Sequence, residues 1–187
     1  MIGKRRWPAS LVYKFADRLV ADLEPRCEKV CIAGSLRRGI ALVGDIEILY
    51  IPRSGQVRGS GELFPRSGSL ADEIIQQWVT KGVLRKRSNP TGITTWGTEN
   101  EYALRSASGI PVELFPTTAE RWYVALVVRT GSDQLVTKLM ARAPLRGMQL
   151  HSDGLLEVNA TGEQMTPHSE REVFKSLGVP YRAPTAR

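Results

Sequence analysis

Ala33-Gly34-Ser35-Leu36-Arg37-Arg38-Gly39-Ile40-Ala41-Leu42-Val43-Gly44-Asp45-Ile46-Glu47-Ile48-Leu49-Tyr50-Ile51 carries the densest pattern of glycine, charge and apolar residues in the chain. Asp45 and Glu47 stand two apart in a run rich in Ile and Leu. On a β-strand they project from one face while Ile46 and Ile48 point to the other. Packing offers no reason to place two acids side by side on an apolar strand, whereas hard divalent cations take oxygen ligands and would require it. Upstream, Gly34-Ser35 follows the apolar run Val30-Cys31-Ile32-Ala33 and precedes two arginines. A glycine there lets the backbone approach a phosphate, the amides beyond it can donate to the anion, and Arg37 or Arg38 can neutralise its charge. A lone D-x-E is common on solvated sheet edges, and a lone G-S turn is weaker still. Joined in the order strand, G-S, R-R-G, G-D-x-E, strand, they read as a metal-nucleotide site.

Ahead of this stretch, Leu11, Val12, Phe15, Ala16, Leu19, Val20 and Leu23 recur at helical spacing, which predicts an amphipathic helix over residues 8–24 with Pro8 in its first turn. From Arg53 to Ser69 the chain is rich in Gly, Ser, Arg and Pro without periodicity, the pattern of a long surface loop. Ser69 with Asp72 resembles a capping box, and Leu70, Ile74, Ile75 and Trp78 then form a helical stripe. Short β-like runs at Val83–Arg87 and Glu101–Arg105 lead to the strand around Glu113, giving a sheet with two helices behind it. A boundary near residues 116–120 opens a second unit. There Trp122–Val128 fits a buried helix or a buried strand equally, Ser132 is placed to cap a helix carrying Leu135, Leu139 and Met140, and Leu150–Val158 around Asp153-Gly154 looks like a hairpin. Ser169 and Glu172 form a second capping box, and Gly178 with Pro180 ends the last helix.

Lys and Arg number 26 against 19 Asp and Glu, a net charge of +7, which favours polyanionic partners. Basic clusters at Lys4–Arg6, Lys81–Arg87 and Lys138–Arg146 are candidate phosphate contacts. The two cysteines, Cys27 and Cys31, are too few for a disulfide framework or a zinc site, and no apolar run has membrane length. A reducing, cytoplasmic setting is expected. His151 and His168 stand isolated in polar segments and do not look like ligands.

The segment resembles the palm signature of the DNA polymerase β-like nucleotidyltransferases, and G-S-L-R-R-G followed by G-D-I-E is similar to family X DNA polymerases. Further landmarks follow in order. Ile110-Pro-Val-Glu-Leu-Phe115 resembles the strand bearing the family's third carboxylate, here Glu113; Arg129-Thr-Gly-Ser132 resembles its T-G-S turn; and residues 169–184 resemble its C-terminal E-x-x-x-F-x-x-L-G-x-x-Y-x-x-P ending. The resemblance implies an α+β fold: a nucleotidyltransferase palm over residues 1–117, a mixed sheet backed by helices, and a small α/β thumb over residues 118–187. Little chain precedes Gly34, so the expectation is the minimal palm-plus-thumb type of viruses, phages and bacteria, without a lyase domain, in the cytoplasm of a bacterial or phage-infected cell.

By the same resemblance Asp45, Glu47 and Glu113 are the catalytic residues and metal ligands, for two Mg²⁺ ions or Mn²⁺. Nucleotide contacts fall to Gly34, Ser35, Arg38, Gly44, Arg129, Thr130, Gly131 and Ser132. The implied activity is DNA-directed DNA synthesis, addition of dNMP to a primer 3′-hydroxyl at gaps, by a monomer whose partners are DNA and dNTP and not a membrane. Two other readings share parts of the pattern: a template-independent nucleotidyltransferase on nucleic-acid ends or a small molecule, and a catalytically silent DNA-end-binding protein. The chain departs from the family where Glu47 and Glu113 stand in place of the usual Asp, where Val128-Arg129 replace an aromatic pair, and where Val136 and Met140 replace thumb Asn and Arg.

Overall fold

The computed structural model describes residues 5–57, 66–88, 94, 96 and 101–187. In chain order the elements are β1 (Trp7–Pro8), α1 (Ala9–Leu23), β2 (Cys27–Ile32), the single turn α2 (Gly34–Arg37), β3 (Leu42–Val43), β4 (Ile46–Pro52), β5 (Ser54–Val57), β6 (Arg66–Ser69), α3 (Leu70–Thr80), β7 (Leu84–Lys86), β8 (Glu101–Arg105), β9 (Pro111–Pro116), α4 (Trp122–Thr130), α5 (Asp133–Arg142), β10 (Met148–Leu150), β11 (Leu156–Val158) and α6 (Glu170–Ser176). Five strands form a mixed sheet in the order β2-β4-β9-β8-β7. β4 and β9 run parallel at its centre, and the other pairs are antiparallel.

Alternation along β4 assigns the two faces of this sheet. Ile46, Ile48 and Tyr50, with Val112 and Leu114 of β9, pack on Val12, Phe15 and Leu19 of α1 and on Ile75 and Trp78 of α3. Leu49, Ile51 and Phe115 point the other way, onto Trp122, Ala125 and Leu126 of α4. A further cluster joins Val124, Val127 and Val128 of α4 to Leu135 and Leu139 of α5, Leu150 and Leu156 of the β10–β11 hairpin, and Phe174 of α6. α4 is therefore buried on all sides between the sheet and the C-terminal elements. An all-round apolar helix has no polar face to reveal its period, which is why residues 122–128 fit two readings in the sequence. Gly154, at φ +90°, closes the hairpin against α4, and a Cβ there would overlap the Ala125 backbone.

Several expectations change at their edges. Pro8 lies just before α1, paired with Leu42 across β1 and β3, rather than in its first turn. The ends of the expected 53–69 loop are strands: Ser54–Val57 pairs antiparallel with Arg66–Ser69, and residues 58–65 lie outside the described residues. Gly55 and Gly68 face each other in that ladder, and the space of their absent side chains is taken by Leu70 and Val57. Composition hid the pair, because only Val57 shows an apolar strand position. Ser69 and Ser169 both cap as read, accepting from the amides of Asp72 and Glu172 at 3.2 Å. Ser132 occupies the cap position of α5 without a side-chain capping bond. The Glu172 carboxylate reaches the His168 amide, one residue earlier than a regular capping box.

Candidate active site

At the N-terminal ends of β4 and β9 the parallel register sets Glu47 directly opposite Glu113. Asp45 sits one residue ahead of β4. Above them the chain turns from β2 into α2 through Gly34, at φ +61°, and a Cβ at this position would run into the Glu47 carboxylate. Only glycine fits here: the positive φ disfavours other residues, and the turn rests on the glutamate. Burial pushes the Glu47 carboxyl up to about 8, the charges of Asp45 and Glu113 add to the rise, and Arg129 and Arg38 oppose it. Burial and two like charges thus outweigh the two arginines and favour the neutral acid.

The turn opens on a cavity of about 520 Å³ lined by Ser35, Arg38, Gly44, Asp45, Glu47, Arg129 and Gly131, all anticipated from the sequence, together with Arg6, Asp133, Thr137 and Ser152, which were not assigned to a site, and Val136 and Met140. Arg6 was legible only as part of a basic cluster; its Nη1 donates to the Leu42 carbonyl at 3.2 Å. Asp133, Val136, Thr137 and Met140 follow one another at helical spacing along α5, a signal present in the sequence but indistinguishable there from an ordinary exposed stripe. The Ser35 hydroxyl is buried with no hydrogen-bond partner.

Other anticipated residues stand outside that wall. Thr130 is fully buried, and its hydroxyl accepts from Arg37 Nη1 at 2.8 Å. Ser132 stands just before α5 at its cap position, and Gly34 is buried within the turn. Arg38 reaches the cavity, yet its Nη1 donates to the carbonyls of Thr130 at 2.8 Å and Gly131 at 3.1 Å, so it also fastens the T-G-S turn. Arg129 lies over the Phe115 ring at 3.6 Å from the centroid, a cation–π contact. Glu113 accepts from Arg87 Nη2 at 2.8 Å. Among the described residues no three acidic, histidine or cysteine side chains converge closely enough to hold an ion.

Residues 125–187 match the family described as DNA polymerase beta thumb. DNA polymerase lambda of Rattus norvegicus is 26% identical over 175 residues, an alignment covering 84% of this chain. The chain is family X polymerase-like. It spans 28% of the length of that relative. The thumb match takes in most of α4 and everything beyond it, including the T-G-S turn and α5, whose residues form one wall of the cavity. The observed fold, a mixed sheet with helices on both faces, agrees with the α+β expectation at that level. Among the described residues no helix is long and apolar enough to cross a membrane.

Proposed function

We propose that this chain is a DNA-directed DNA polymerase that adds dNMP to a primer 3′-hydroxyl, in gap-filling synthesis, with residues 1–117 as palm and residues 118–187 as thumb. The observation that carries the reading is the placement of Asp45 and Glu47 beneath the Gly34-Ser35 turn, in the wall of a cavity that three arginines share. The donor set suits hard divalent cations: carboxylate oxygens, one of them pushed toward protonation by burial and by the neighbouring acids, beside an orphaned buried hydroxyl. Asp45, Glu47 and Glu113 would hold two Mg²⁺ or Mn²⁺ ions, which supply a lowered pKa at the primer hydroxyl and neutralise charge on the triphosphate.

The chain's own residues supply positioning and electrostatics, the chief needs of phosphoryl transfer. Ser35 offers its hydroxyl, and the amides of the turn that Gly34 opens donate to the β and γ phosphates. Arg6 and Arg38, which also line the cavity, add positive charge. The primer oxygen attacks the α-phosphorus, its proton goes to solvent, and pyrophosphate leaves toward Arg6 and Arg38. Arg129 and Gly131 border the sugar, and Val136 and Met140 border the nascent base pair. The Arg87 pairing of Glu113 favours one other reading, a catalytically silent DNA-end-binding protein. Incubation with labelled primer, with and without template, and each dNTP in Mg²⁺ or Mn²⁺ separates these. Template-matched incorporation is expected; incorporation indifferent to template points to a terminal transferase, and none with either metal leaves the silent reading.

A further inference from the structure

Glu47 and Glu113 belong to a longer row across the sheet. Register places Lys86 opposite Ala103, Ala103 opposite Val112 and Val112 opposite Ile46; one step along, Tyr102 lies opposite Glu113 and Glu113 opposite Glu47. Arg87 follows Lys86 immediately and so continues that second row at the β7 edge. Two strand spacings, roughly 10 Å, separate its backbone from that of Glu113. The pair at 2.8 Å is therefore made by two long side chains stretched toward each other across β8. Both are largely withdrawn from solvent, with the Arg87 side chain 30% exposed and that of Glu113 18% exposed.

We propose that Arg87 is the resident counter-ion of Glu113, a positioning residue that holds this carboxylate off Glu47 until a divalent cation displaces it. The inference rests on the metal reading of the proposed function. Three observations support it. Glu113 is absent from the cavity wall that Asp45 and Glu47 line, although it is the direct strand neighbour of Glu47. No three ligating side chains converge among the described residues. The partner that engages Glu113 is a guanidinium, whose charge an incoming cation replaces. Cation binding then exchanges one ionic partner for another, and removal of Arg87 removes the competitor.

Mn²⁺ binding to the full chain without DNA or dNTP, followed by the loss of the free-ion paramagnetic signal, tests this. Arg87→Gln is expected to tighten binding roughly three- to tenfold, the scale of one part-exposed charged hydrogen bond. Arg87→Lys keeps the charge and should lie between it and the wild type. Arg85→Gln, an exposed arginine of β7, makes the same change in net charge and should leave affinity unchanged. Melting temperatures taken alongside establish that each variant is folded. Equal or weaker Mn²⁺ binding by folded Arg87→Gln overturns the proposal, as does equal tightening by Arg85→Gln. If Asp45→Asn and Glu113→Gln leave Mn²⁺ binding at the wild-type level, the metal reading itself fails.

Discussion

Glu47 is the buried carboxyl on which the proposed metal site depends. Its neighbours on β4, Ile46 and Ile48, are fully buried on the opposite face, so the residue cannot turn away without breaking the sheet. Glu47→Gln keeps shape and burial while removing the ability to ionise. We expect primer extension to fall by about a hundredfold or more, as when reacting atoms are misplaced by an ångström, with the melting temperature at or above that of the wild type. Near-normal extension in a single-nucleotide assay would take Glu47 out of the site. Gly34→Ala tests the ceiling above it. The new Cβ meets the Glu47 carboxylate, and φ +61° alone costs a non-glycine residue about 1–2 kcal/mol. Urea unfolding should show at least that loss, and a midpoint equal to the wild type would show that the turn relaxes.

Between elements, a network of charged hydrogen bonds runs from α2 through α4 to α6. Arg37 donates to Glu170 through both terminal nitrogens at 2.9 Å and to Thr130 at 2.8 Å, while Arg187 adds a third bond to Glu170 at 2.7 Å. The Arg187 side chain is fully buried. Burial by itself would raise the Glu170 carboxyl, but the bonds and charges of Arg37 and Arg187 outweigh it and hold it below the ordinary 4.5. A lowered folded value means that this contribution is complete above pH 4.5 and is lost as pH falls through the lowered value. Stability of the wild type should decline on acidification below about pH 4.5. In Glu170→Gln that part of the decline should vanish, because the amide does not titrate. Parallel curves of urea midpoint against pH would assign the acid sensitivity elsewhere. At neutral pH Glu170→Ala leaves two guanidiniums without their partner and should cost about 3 kcal/mol.

For the molecule as a whole, the net charge of +7 dominates. Lys138, Arg142 and Arg146 stand exposed along and just beyond α5, on the side that carries the thumb match. Duplex DNA affinity is expected to fall steeply with salt, each phosphate contact adding about 0.9 to the log-log slope. The double change Lys138→Gln with Arg142→Gln should therefore flatten the slope by about 2 units in a fluorescence-anisotropy titration, if both touch phosphate. An unchanged slope would move the DNA path to another face. The cluster at residues 81–87 is already partly committed, since Arg87 holds Glu113 and Lys86 lies over Trp96.

Local pattern was enough to reveal the strand bearing Glu47, though Asp45 falls just ahead of it, together with the glycine turn before it, α1, α3, the hairpin at Gly154 and two of the three serine caps. Each of these is written in neighbours a few residues apart, through side-chain alternation, helical spacing or a single permissive φ. The state of α4 was not legible, because a helix buried on all sides carries no amphipathic period. The β5–β6 ladder was hidden because its glycines pack through absence. Sequence named Glu113 but not its partner, and it named Arg38 without showing that Thr130 and Gly131 hold it. Those facts depend on register between strands and on contacts between residues 26 to 133 positions apart. Such distances are set by how the sheet and helices stack, and stacking is a property of the folded chain rather than of any stretch along it.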